Sequence, residues 1–74
     1  MSTWTRIRNK KGMTLEDLAR FLKNKGIETT KQSLSKYESG TRKMPYNIMA
    51  EYLKMRGEEN DLIIINFLEG LKWK

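Results

Sequence analysis

The chain has 74 residues and carries 15 Lys/Arg against 9 Asp/Glu, a net charge of +6, with no histidine and no cysteine. Without thiols or imidazoles there is no disulfide framework and no ordinary zinc site, and histidine-based catalysis is removed. No apolar run reaches the ~18 residues of a membrane helix and no signal-peptide core opens the chain, so one small cytoplasmic domain over residues 1–74 is expected.

Ser2 or Thr3 is expected to cap a first helix, which brings Trp4 and Ile7 to one face and ends at Gly12. Arg8, beside Ile7, reads as a cation at the edge of the core. Thr14 begins a second helix, and Asp17 can complete a capping box with it. Leu15, Leu18, Ala19 and Leu22 then follow the i, i+3, i+4, i+7 template of an amphipathic helix. Gly26 ends that helix and Ile27 turns back toward the core. Thr30 caps a third helix in which Leu34 and Tyr37 face inward, and Gly40 takes the left-handed position after it. On its other side Lys31 and Ser35, and Gln32 and Lys36, are i,i+4 pairs.

Pro45 at the first helical position starts a fourth helix, with Ile48, Met49, Tyr52 and Leu53 inward and Arg56-Gly57 at its end. Asn60 or Asp61 can cap a last segment over residues 62–71. On a helical wheel Ile64, Phe67, Leu68 and Leu71 cluster, with Ile63 and Ile65 as shoulders. The same segment also alternates as a strand through Ile63, Ile65, Phe67, Leu71 and Trp73. The acidic cap favours the helix. The surplus apolar residues Ile63, Ile65, Phe67, Leu71 and Trp73 exceed the needs of one helix face. They predict a homodimer interface over about residues 60–74, or else a helix wrapped more deeply into its own core.

Charge is unevenly placed. Residues 1–43 hold eleven Lys/Arg against four Asp/Glu, whereas residues 44–74 hold four against five. Positive charge confined to the first part is an electrostatic footprint for a polyanion, the bland reading being a lysine-rich soluble surface. The acid clusters Glu16/Asp17 and Glu58/Glu59/Asp61 sit at expected helix N-termini, where capping and the macrodipole account for them. No catalytic site, metal site, cofactor or small-molecule substrate is therefore expected, and the chain does not read as an enzyme.

The order T-T-K-Q-S-L-S-K-Y-E-S-G at residues 29–40, the basic loop Thr41-Arg42-Lys43, the proline that follows, and T-L-E-D-L-A at residues 14–19 carry a resemblance. Together they resemble the phage Cro/repressor-type (XRE-like) helix-turn-helix DNA-binding family, over about two-thirds of the chain. The resemblance implies an all-α, compact five-helix domain that binds double-stranded DNA and regulates transcription, most simply as a small dimeric repressor in a prokaryotic or phage setting. An antitoxin or restriction-system controller uses the same domain, and a scaffold redirected to protein binding is the rival of another class.

In that setting Lys31, Gln32, Ser33 and Lys36 are the base-facing candidates, since lysine donates to guanine O6/N7 and glutamine pairs with adenine N6/N7. Arg42 and Lys43 are expected on phosphates, with Thr14, Thr30, Ser39 and Thr41 as neutral contacts. Capping is the plainer role for Thr14 and Thr30. Tyr46 either stacks along the DNA backbone or covers Met44. Arg8 and Glu38 stand where relatives place an ion pair. Two departures stand out. The turn over residues 23–29 is about four residues longer than the three or four usual in the motif, and Leu15 replaces a glutamine that reaches the phosphate backbone in relatives.

Overall fold

The computed structural model describes residues 2–58 and 61–71, the side chain of Leu71 excepted. They form five α-helices and no strand: α1 Thr3–Lys10, α2 Leu15–Asn24, α3 Lys31–Ser39, α4 Tyr46–Arg56 and α5 Asp61–Leu71. The all-α, five-helix expectation holds, and the last apolar segment is a helix rather than a strand. The chain divides into two compact units, Met1–Met44 and Pro45–Lys74.

In the first unit each helix starts on a hydroxyl cap. The side chains of Ser2, Thr14 and Thr30 accept from the amides of Thr5, Asp17 and Ser33, satisfying donors that a helix leaves open at its start. Thr14 and Asp17 complete the reciprocal capping box. The end of α2 shows why Gly26 is needed. Its φ is +83°, which lets its amide reach the Lys23 carbonyl at 3.0 Å while the Ile27 amide reaches that of Leu22 at 2.9 Å. This pair of bonds is the Schellman motif, and it folds the half-buried Ile27 back, as its place after Gly26 predicts. Ile7, Leu18, Leu22, Leu34 and Met44 are buried, and α3 packs against both α2 and α1.

In the second unit Pro45 is extended, with ψ at 150°, and stands at the cap of α4 rather than at its first helical position. Its fixed φ serves the helix entry equally well there. Ile48, Ala50, Tyr52 and Leu53 are buried, and Met49 is half-buried. The apolar faces of α5 differ from the helical-wheel expectation. Ile65 and Leu68 are buried, whereas Ile64 and Phe67 are exposed. Asp61, itself buried, fixes this phase: its carboxylate is gripped by the guanidinium of Arg56, with Nε at 2.8 Å from Oδ2 and Nη2 on Oδ1. With residue 61 held inward, helical periodicity turns 65 and 68 inward too. Asp61 is thus the first residue of α5 and an ion-pair partner, rather than its cap; Asn60 lies outside the described residues.

Candidate nucleic-acid interface

The position of α3 is set by a polar junction that its own sequence does not reveal. The Glu38 carboxylate, 6 % exposed, accepts from Arg8 Nε at 2.8 Å and Arg8 Nη2 at 3.0 Å, and from the Thr5 hydroxyl at 2.9 Å. Arg8 also donates to the Met13 carbonyl at 2.9 Å. One guanidinium therefore joins α1, the α1–α2 turn and the last turn of α3. A buried carboxylate requires such partners. Thr5 and the Met13 carbonyl are the members that sequence reasoning missed; Thr5 lies one helical turn from Arg8, the one signal that could have found it.

With Leu34 and Glu38 buried and Tyr37 half-buried, α3 leaves Lys31, Gln32, Ser35 and Lys36 exposed on its outer side. Three of the four expected base-facing residues share that side. Ser33 is different. It is half-buried, its amide donates to the Thr30 hydroxyl at 3.1 Å, its Oγ accepts from that hydroxyl at 3.2 Å, and it lines a groove with Lys23, Glu28, Thr29, Thr30 and Tyr37. Ser35 stands one turn beyond Lys31 on the outer side, a place its i,i+4 spacing already marks. The Lys31 ammonium is itself bonded to Glu16 Oε1 of α2 at 2.9 Å.

Behind α3 the backbone turns at Gly40, whose φ of +83° is left-handed. The Arg42 amide then donates to the Lys36 carbonyl at 3.2 Å, tying the loop to the helix that it follows. Arg42 and Lys43 are both exposed. The Ser39 hydroxyl donates to the Lys36 carbonyl at 3.1 Å and meets the Thr41 hydroxyl at 2.8 Å. The Thr14 hydroxyl accepts from the Asp17 amide, while the Thr14 amide donates to the Asp17 carboxylate at 3.0 Å. That backbone bond holds the Asp17 carboxyl below the usual aspartate range, and the Lys31 hydrogen bond does the same for Glu16. The start of α2 thus carries two ionised carboxylates.

Among the expected dimer-interface residues, Ile63 and Phe67 are 75 % and 65 % exposed, but Ile65 is 5 % exposed and belongs to the core of its own chain. The inward phase of Asp61 is the reason. The Leu71 side chain and Trp73 lie outside the described residues. Leu62 and Ile64 add exposed apolar surface to α5 that was not expected of them. Tyr46 is 41 % exposed. No helix among the described residues is long and apolar enough to cross a membrane, and none of their side chains form a group of three or more that could hold a metal.

Two consecutive capped helices, the second with a polar outer side and a cationic exit loop, define a DNA-binding helix-turn-helix regulator. A family model described as helix-turn-helix matches residues 6–54. The chain belongs to this Cro/repressor-type family of duplex-DNA-binding regulators. No curated protein and no solved structure matches it.

Proposed function

We propose that the chain is a sequence-specific repressor of transcription that binds double-stranded DNA as a homodimer in the cytoplasm of a prokaryotic or phage-infected cell. Its two compact units work as one DNA-binding domain, and α3 is the helix that enters the major groove. The observation that carries this reading is the outer side of α3, where Lys31, Gln32, Ser35 and Lys36 stand exposed while Leu34 is turned into the core. Base edges in the major groove present acceptors and donors that such side chains match. Arg42 and Lys43 hold the flanking phosphates, with Ser39 and Thr41 beside them. Thr14 and Thr30 act chiefly as the caps of α2 and α3, each hydroxyl accepting from an amide of the first turn.

The dimer is supported by exposed Leu62, Ile63 and Phe67 on α5, since a lone domain seldom leaves such a patch in water. Selection of bound sequences from a randomised duplex pool tests the proposal. It is expected to enrich an inverted repeat with half-site centres about 10 base pairs apart, and recovery of unrelated sequences would contradict it.

A further inference from the structure

The first turns of α2 and α3 are joined by a single side-chain bond, from Lys31 Nζ to Glu16 Oε1 at 2.9 Å, with the lysine 51 % and the glutamate 63 % exposed. A pair this open adds little to stability, so its placement asks for another explanation. Lys31 is the one cation on the outer side of α3 held this way; Gln32 and Lys36 make no side-chain hydrogen bond or ion pair among the described residues. The neighbouring carboxylate, Asp17, is committed to the cap of α2 and lies 3.7 Å from Arg20, which leaves Glu16 to Lys31.

An ammonium has three donors and no acceptor. One is taken by Glu16 and two remain for acceptors on a base edge. A free lysine is also a mobile point charge, attracted to any phosphate whatever the sequence. A carboxylate in contact with it cancels that attraction at a distance and leaves the short-range, directional donors intact.

We propose that Glu16 is a specificity-determining residue of the DNA interface, tethering Lys31 and neutralising its charge so that Lys31 discriminates between sequences while adding little to non-specific affinity. This rests on the reading of α3 as the recognition helix. Leu15 beside it is apolar and half-buried, which leaves Glu16 as the polar side chain by which the first turn of α2 reaches α3.

The test is a two-by-two set of full-length chains: the parent, Glu16→Gln, Lys31→Gln and the double variant. Each is titrated with a duplex selected by the parent and with a scrambled duplex of equal composition, across a salt series. Both positions are exposed, so thermal unfolding is expected to match the parent in all four. Glu16→Gln should tighten scrambled-duplex binding about fivefold and steepen its log–log salt slope by about one. Selected-duplex affinity should change less than about twofold, so that the ratio between duplexes falls. In the Lys31→Gln background the same substitution removes a carboxylate that lacks Lys31, so it should tighten both duplexes by a similar, smaller factor and leave their ratio nearly unchanged. Equal effects of Glu16→Gln on both duplexes, or in both backgrounds, would show plain removal of a negative charge and overturn the proposal. A parent that binds the two duplexes alike would overturn the recognition-helix reading with it, whereas a discriminating parent without coupling overturns the role of Glu16 alone.

Discussion

Glu38 concentrates the electrostatics of the first unit in one side chain, a buried carboxylate satisfied by two donors of Arg8 and one of Thr5. Removing Arg8 leaves that charge without its cation. Arg8→Ala is therefore expected to cost about 3 kcal/mol in urea unfolding, and a double-mutant cycle with Glu38→Ala should show strong coupling. Coupling near zero would mean that the pair is incidental. Spacing alone cannot reveal this junction, because its members are 30 and 33 positions apart; only the resemblance to known relatives points to two of them. The same holds for Lys31 and Glu16, 15 positions apart. Local features were legible by contrast: the Thr14–Asp17 capping box, the Thr30 cap and the turn at Gly40 are set by neighbours within four residues. Ser33 stands apart from the other three candidates for a local reason: it is half-buried, and both its amide and its hydroxyl are bonded to the Thr30 hydroxyl. Among the phosphate candidates, Arg42→Ala and Lys43→Ala should weaken binding to all duplexes alike and flatten the log–log salt slope by about one each.

At the scale of elements, α2 was readable because its apolar residues keep strict period, while α5 was not. Leu62, Ile63, Ile64 and Ile65 are consecutive, and a continuous apolar run carries no phase of its own. The phase comes from Asp61, buried against Arg56 at the end of α4. Opposite outcomes are therefore expected from neighbouring positions. Ile65→Ala opens a core cavity and should cost about 2–5 kcal/mol. Phe67→Asp should leave the thermal midpoint near that of the parent and abolish self-association in sedimentation at about tens of micromolar. A parent that is monomeric there would remove the dimer, and an unfolded Phe67→Asp would assign that face to the chain's own core. Acid tests the Arg56 clamp. Its hydrogen bonds hold the Asp61 carboxyl below its ordinary value, so the stabilisation is fully present above about pH 4, the ordinary aspartate value. It is lost as pH falls through the lowered one. The Asp61→Asn variant should accordingly lose less stability than the parent between about pH 5 and pH 2, as read by thermal unfolding; parallel curves would show that the clamp contributes nothing.

Across the whole molecule, charge and motif coincide. The excess of eleven cations over four acids falls in residues 1–43, which include α1, α2, α3 and the basic loop. Every Lys and Arg there except Arg8 is exposed. Such a surface supplies attraction to any duplex, and the outer side of α3 must then supply the preference. This division between general attraction and sequence preference is tested by comparing the parent with Gln32→Ala and Lys36→Ala. Each is titrated at one fixed salt concentration against the selected duplex and a scrambled duplex of equal composition. Gln32→Ala is expected to lose about 1–3 kcal/mol on the selected duplex and to leave the scrambled duplex bound nearly as before. Lys36→Ala is expected to lose more on the selected duplex than on the scrambled one, where only its point charge is missed. Variants that bind both duplexes as well as the parent does would contradict the division, and would place the outer side of α3 outside the groove.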